Sequence, residues 1–276
     1  MTVLVNGVKK DHVSALNRGM LYGHSVFETI PVVSGTPALL NNHLIRLADG
    51  CEKLGLPFTS ELITKEVECL IDQSEADKDY IIRITVFMDE GGRGYLSPDQ
   101  ATATRVISSH SAPQHPQEHW SKGINLGVSD VTLGAQPLLA GVKHGNRLEQ
   151  VLARSRWQTD WQEAILCDVS GNVIEGTQSN IIVIKNGKAN TPILDHCGVD
   201  GVMKNWVLLR LKELGVSSHS VRLSLQDIIE ADEVLMTNSV IGVWPVKHFK
   251  NRVFSDSTTA RQLIQLIHEH EIIPHN

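Results

Sequence analysis

Short apolar runs that stop at paired turn residues recur in both halves of this chain, and they limit its fold more than any other feature. Residues 2–5 stop at Asn6-Gly7, residues 26–33 at Ser34-Gly35, and the runs starting near 164 and 181 at Ser170-Gly171-Asn172 and Asn186-Gly187. Such turn pairs between apolar segments are hairpin chemistry and argue against a purely parallel sheet. Helical periodicities lie between the strands. Leu44, Leu47, Ala48, Cys51 and Leu54 share one face of a helix that Asn41 or Asn42 would cap and that Gly55 and Pro57 stop. A second helix is expected over 61–73, a branched-residue strand over 80–88 and another strand over 104–109. Between those strands, Gly91-Gly92-Arg93-Gly94-Tyr95 has too many glycines to be anything but a loop. Farther on, strands at 124–128, 164–167, 181–184 and 234–237 are interleaved with helices near 146–157, 202–214 and 258–270. The content is α/β, in the α+β sense of mixed sheets.

A chain of 276 residues with 41% hydrophobic content can support two cores. The stretch from Ser111 to His119 carries Pro113 and Pro116 and no apolar period. We therefore expect a smaller N-terminal α/β domain over 1–112, a linker over 113–120 and a larger C-terminal domain over 121–276. Twenty-five basic and 31 acidic residues, scattered without long like-charge blocks, give a net charge of -6. That pattern offers no footprint for nucleic acid or an anionic membrane and leaves small-molecule chemistry as the expectation. Cys51, Cys69, Cys167 and Cys197 form no C-x-x-C pair, and no segment is long enough to span a bilayer. A soluble cytoplasmic protein without a metal site is expected. No H-x-x-x-H helix pair, G-x-S-x-G turn or P-loop is present.

The strongest candidate for chemistry is Lys143, in Gly141-Val142-Lys143-His144-Gly145-Asn146-Arg147-Leu148-Glu149. Asn146 and Glu149 read as an N-cap and capping-box partner, which would set Lys143 just before a helix N-terminus. Positive charge there disfavours an ammonium and favours a neutral amine able to form a Schiff base. Local features alone leave a solvated loop lysine as the more ordinary reading.

The run Lys143-His144-Gly145-Asn146-Arg147-Leu148-Glu149-Gln150-Val151-Leu152 resembles the cofactor-lysine segment of the fold type IV pyridoxal-phosphate enzymes. That family holds aminodeoxychorismate lyases together with D-amino acid and branched-chain aminotransferases, and within it the run is most similar to the lyases. The resemblance spans nearly the whole chain and implies a two-domain fold like that of D-amino acid aminotransferase, a homodimer and bound pyridoxal 5'-phosphate. It implies Lys143 as the cofactor lysine and catalytic base, and Glu175 as the acid facing the pyridine nitrogen. For the phosphate it implies Arg46, the backbone amides of Val202 and Met203, and Ser239. Unaided by the family, Glu175 would be an ordinary ion-paired glutamate and Arg46 a solvated helix residue. The Gly198-Val199-Asp200-Gly201 approach to a helix is by itself a natural anion site, although many such junctions bind nothing.

Gly91-Gly92-Arg93-Gly94-Tyr95 is similar to a lyase loop that the aminotransferases generally lack, and it implies Arg93 and Tyr95 as substrate contacts. Arg147 stands where branched-chain aminotransferases have tyrosine, and it too matches the lyases. His24 departs from the pattern, since many relatives have aspartate there. The implied activity is cleavage of 4-amino-4-deoxychorismate to 4-aminobenzoate and pyruvate for folate biosynthesis; the alternative is D-amino acid or branched-chain aminotransfer on the same scaffold.

Overall fold

The structure is a computed structural model and describes residues 1–73, 79–92, 94–157 and 160–274. Two compact units divide the chain. The first holds Met1–Pro113, Val142–Asn146 and the segment from Ile273; the second holds Gln114–Gly141 and Arg147–Ile272.

The first unit runs β1 (Val3–Val5), β2 (Val8–Lys9), α1 (Arg18–Tyr22), β3 (Ser25–Val33), β4 (Thr36–Pro37), α2 (Leu40–Lys53), α3 (Ser60–Asp72), β5 (Tyr80–Met88) and β6 (Ala103–Ser111). Its sheet has the order β2-β1-β6-β5-β3-β4, antiparallel throughout. Asn6 and Gly7 both adopt positive φ, 49° and 77°, as the expected hairpin turn requires. Two-residue alternation sends Val26, Ile30, Val32, Ile82, Ile84 and Ile107 to one face. There Leu44, Leu47 and Cys51 of α2 and Ile63, Val67 and Leu70 of α3 cover them. Each such fully buried Leu or Ile contributes about 1.5–3 kcal/mol.

The α2 cap differs from the expected one. Neither Asn41 nor Asn42 caps it; the N-cap is Leu39, at φ 52° and with no side-chain bond. The chain leaves β4 while that strand is paired to Val32 and Val33, so it must reverse directly into α2, and the left-handed Leu39 makes that reversal.

Because β4 covers only the far end of β3, the edge at Ser25–Phe27 is left for another segment, and residues 143–145 take it. Val26 bridges His144, Phe27 N–H donates to the Lys143 carbonyl (3.0 Å), and Gly145 N–H donates to that of Ser25 (2.8 Å). Sequence reasoning grouped Lys143 with the 121–276 domain; this pairing groups its segment with the first unit.

The second unit holds α4 (Glu118–Ser121), β7 (Ile124–Leu133), α5 (Leu148–Ser155), β8 (Glu163–Asp168), β9 (Val173–Gly176), β10 (Asn180–Lys185), β11 (Lys188–Pro192), α6 (Val202–Glu213), β12 (Ser217–Val221), α7 (Leu225–Ile229), β13 (Glu233–Asn238), β14 (Gly242–Phe249), β15 (Arg252–Val253) and α8 (Thr258–Glu269). The sheet order is β12-β11-β10-β13-β14-β7-β8-β9, with β15 beside β14. Pairing is parallel at β11–β12, β14–β7 and β7–β8 and antiparallel elsewhere, so the sheet is mixed, as the turn signals require. Helices α6 and α8 pack on its central strands, and α5 packs on β7.

Of the segment expected as linker, Pro113 closes the first unit and α4 begins at Glu118. Trp120 is buried there and donates from Nε1 to the Ile241 carbonyl at 2.8 Å. The Asn146–Glu149 capping box does not form. Helix α5 starts at Leu148 behind Arg147, and Glu149 Oε1 instead accepts from the distant Gly134 N–H at 2.7 Å. No helix among the described residues is long and apolar enough to cross a membrane.

Candidate active site

Edge pairing fixes which way Lys143 points. With His144 opposite Val26, Val142 falls on the core face and is buried among the residues under α2, while Lys143 falls on the opposite face beside Phe27. Lys143 Nζ lies 4.4 Å from the centroid of the Phe27 ring. The same ring has the Arg83 guanidinium 4.1 Å from its centroid, and burial lowers the Arg83 pKa. Two cations at one aromatic ring make this face of the sheet electropositive. The α5 dipole does not reach Lys143, because α5 begins five residues later and a dipole acts within its first turn.

On the core face, Glu28 occupies a position that period-2 alternation puts between Val26 and Ile30, and it is fully buried. A charge there needs partners. Arg46, from α2, donates from Nε to Oε1 at 2.7 Å and from its guanidinium end to Oε2 at 2.5 Å. His43, one turn earlier, donates from Nδ1 to Oε2 at 2.6 Å. A carboxylate is acceptor-only, so the proton sits on Nδ1; His43 Nε2 is buried without a hydrogen bond among the described residues, as suits a neutral ring. Burial pushes the Glu28 carboxyl up, but the Arg46 charge and the His43 and Arg46 hydrogen bonds outweigh it and hold the group down at about 2. Burial likewise lowers His43, against the pull of Glu28 and with help from the charges of Arg46 and Lys143. Thus Arg46 is held in one orientation by a buried carboxylate that sequence reasoning passed over, although a glutamate at a core position of a strand was the signal for it.

Acid stability follows from the signs. Both groups have folded pKa values below their unfolded ones, so the stability they contribute is present above the unfolded values and is lost as pH falls. For Glu28 the window runs from 4.5 down to about 2. Its loss is on the order of 3 kcal/mol. Urea unfolding at pH 5 and pH 3 should give a smaller pH-dependent loss for Glu28→Gln than for the parent, and a lower midpoint at pH 5. Equal losses would show that Glu28 carries none of the acid sensitivity.

In the second unit, Glu175 sits on β9 and is buried at 5% exposure. Its Oε2 accepts from Val199 N–H at 2.8 Å, and Gln150 Nε2 approaches Oε1 at 3.5 Å. Val199 leads to Gly201, the N-cap of α6, which makes no side-chain cap bond. A Cβ at Gly201 would stand 1.8 Å from Asn180 Oδ1, so any larger residue there would have to displace the Asn180 side chain. Val202 and Met203, both buried, occupy the first turn, whose N–H groups have no partners within the helix. Ser239 lies in the loop between β13 and β14, which Asn238 shapes by accepting from Val240 and Ile241 N–H at 2.8 and 2.9 Å. Arg147 has its pKa lowered by burial, against the raising effect of Glu175 and Glu149.

Arg93 lies outside the described residues. Tyr95 is 88% exposed, its ring edge-on to Tyr22 at 5.3 Å. Arg18, a buried residue, donates from its guanidinium to the carbonyls of Gly91, Gly94 and Tyr95 at 3.3, 2.9 and 2.9 Å. His24 pairs through Nε2 with the Leu54 carbonyl at 2.7 Å and so closes the C-terminus of α2.

The amino-transferase class IV family profile matches residues 25–249. The chain is 36% identical to the aminodeoxychorismate lyase of Vibrio harveyi, covering 88% of this chain and 89% of that one. It is 29% identical to a putative branched-chain-amino-acid aminotransferase of Methanocaldococcus jannaschii, covering 93% and 90%. Among solved structures, that of 4-amino-4-deoxychorismate lyase from Pseudomonas aeruginosa superposes with a TM-score of 0.92 at 36% identity, covering 97% of this chain and 98% of that one.

Proposed function

Because the chain belongs to the amino-transferase class IV family, we propose that it cleaves 4-amino-4-deoxychorismate to 4-aminobenzoate and pyruvate, with pyridoxal 5'-phosphate as cofactor. The observation that carries the reading is the 36% identity, across almost the full chain, to a lyase whose solved counterpart has the same fold. The residues present fit the cofactor: a helix N-terminus whose glycine cap lies close against Asn180, a buried carboxylate on β9, and a lysine held on a sheet edge.

When bound, pyridoxal phosphate supplies a covalent tether for the substrate amine and an electron sink for the charge left by proton removal. Lys143 is the base: its amine takes the proton from the ring carbon that bears nitrogen. The bond from ring carbon to enolpyruvyl oxygen then breaks, the ring becomes aromatic, and Lys143 returns the proton to the methylene carbon of the departing enolpyruvate, giving pyruvate. Glu175 holds a proton on the pyridine nitrogen. Arg46, Val202, Met203 and Ser239 hold the phosphate, with Arg46 aimed by Glu28. Arg93, Tyr95 and Arg147 address the substrate, whose two carboxylates suit arginine.

The working form is a cytoplasmic homodimer. Support for a dimer comes from α5, where Leu148, Val151 and Leu152, spaced on one helical face, are 74%, 58% and 50% exposed. The cytoplasmic assignment is supported by Cys51, Cys69, Cys167 and Cys197 all being free thiols.

Likeness to an aminotransferase at 29% identity keeps aminotransfer as the second reading. The deciding experiment loads the protein with pyridoxal phosphate, adds enzymatically generated aminodeoxychorismate, and quantifies products by chromatography. Equal amounts of 4-aminobenzoate and pyruvate without a keto-acid acceptor are expected. Amino transfer from D-alanine or leucine to 2-oxoglutarate, with no 4-aminobenzoate, would replace the lyase by the aminotransferase.

A further inference from the structure

The groups assigned above to the cofactor within the second unit are linked to one short turn, residues 176–180, and that turn is wrapped around a carboxylate with no role so far. Glu163 opens β8 and is fully buried. Its Oε1 accepts from Ala164 N–H (2.9 Å), Thr177 N–H (3.0 Å) and the Thr177 hydroxyl (2.6 Å). Its Oε2 accepts from the Ser179 hydroxyl (2.6 Å) and, at longer range, Gln178 N–H (3.4 Å). The wrap needs a glycine, since a Cβ at Gly176 would stand 2.9 Å from Glu163 Cδ and 2.4 Å from Ser179 Oγ. Links run outward from the turn. The Gln178 carbonyl accepts from Asn238 Nδ2 at 3.1 Å, and Asn238 shapes the loop that carries Ser239. Asn180 Nδ2 donates to the Val199 carbonyl at 2.8 Å, and its Oδ1 lies against Gly201 at the start of α6. Glu175, just before the turn, accepts from Val199 N–H.

We propose that Glu163 is a positioning residue: its carboxylate templates the 176–180 turn and thereby sets Glu175, the α6 N-terminus and the Ser239 loop as one preorganised cradle. It touches neither substrate nor cofactor. The proposal rests on the reading that this cradle holds pyridoxal phosphate. An ionised carboxylate accepts and never donates, which is what five converging donors require. Glutamine has the same shape but turns one end into a donor. Its better orientation keeps oxygen at the three-donor end and sets the amide nitrogen toward Ser179 and Gln178. The Ser179 hydroxyl can rotate to accept; the Gln178 N–H cannot, so Glu163→Gln loosens Gln178 and, through it, Asn238.

A control is at hand in Glu233, also buried, whose carboxylate accepts from Thr259 and Ala260 N–H at 2.9 and 3.2 Å at the start of α8. Two readouts apply: amide hydrogen exchange in the cofactor-free protein, and pyridoxal phosphate affinity by equilibrium titration. Glu163→Gln should speed exchange at Val199, Val240 and Ile241, and weaken cofactor affinity, by roughly tenfold each. Glu233→Gln should lower the melting temperature while leaving both readouts unchanged. Unchanged affinity and exchange in Glu163→Gln, or an equal affinity loss in Glu233→Gln, would overturn the proposal. Should Glu163→Gln not fold, Thr177→Val removes one bond to the same carboxylate and should move both readouts by roughly threefold; no movement would likewise overturn it. A parent protein that takes up no pyridoxal phosphate would sink the proposed function instead, while the exchange rates would still judge the role of Glu163.

Discussion

Lys143→Ala is expected to abolish turnover, with a fall in kcat of at least about 10⁴-fold, because in the proposed reaction one side chain serves as tether, base and acid. The variant should keep its fold. Val142 stays in the core, and the edge bonds to β3 come from the backbone of residues 143 and 145, not from the lysine side chain. Cofactor should still bind through its phosphate, but without the absorption band of the lysine-linked form. Borohydride reduction followed by peptide mapping is the decisive measurement: the parent should carry the label on Lys143 and the variant none. A label on a different lysine would refute the assignment.

Glu175→Ala should cost roughly 10²–10³-fold in kcat, the size of effect seen when one preorganised electrostatic contact is removed. A carboxylate beside the ring nitrogen favours the protonated ring, and alanine leaves that preference to solvent. Glutamine should do little better, since a neutral amide exerts no such pull. The check is the split between kcat and cofactor affinity: kcat should fall by two orders of magnitude or more while affinity changes by less than one, since the phosphate contacts lie elsewhere. A loss confined to affinity would make Glu175 a structural anchor for Val199, whose N–H it already holds at 2.8 Å.

What was legible in the sequence divides by range of interaction. Residues 80–88 read as a strand and are one, because a branched run bounded by polar residues leaves few alternatives. The turns at Asn6-Gly7 and Ser34-Gly35 adopt the positive φ their residues favour. The long helices α6 and α8 fall within a residue of their expected bounds. Helices α1 and α7, of five residues each, are too short to display a period. Strand β12 is polar and exposed along most of its length, so it carried no alternation to read. The Asn146–Glu149 box failed for a different reason: Gly134, remote in sequence, competed for the Glu149 carboxylate and won.

The candidate site divides the same way. Lys143 stood out through a resemblance, but its direction depends on which residue of β3 faces His144, a register that only the folded sheet defines. Glu28 and Glu163 were open to inference, as acidic residues set within or against apolar strands. Their partners were not, because Arg46 lies 18 positions from Glu28 and Ser179 lies 16 from Glu163. The position of Tyr95 could be read as loop, yet nothing local announced that Arg18 would hold the carbonyls around it.

The borrowed edge of β3 bears on how this chain is made. A ribosome releases residues 1–113 before 142–146, the segment that covers the β3 edge. At about 5–20 residues per second the gap between residues 113 and 142–146 is a few seconds. Throughout it, the nascent sheet presents Phe27 N–H and the Ser25 carbonyl on an uncovered strand edge, the kind of template that recruits a neighbouring chain on the same polysome. The segment that brings the lysine is thus also the one that ends this exposure, so the hazard of premature aggregation and the delivery of chemistry finish in the same step of synthesis.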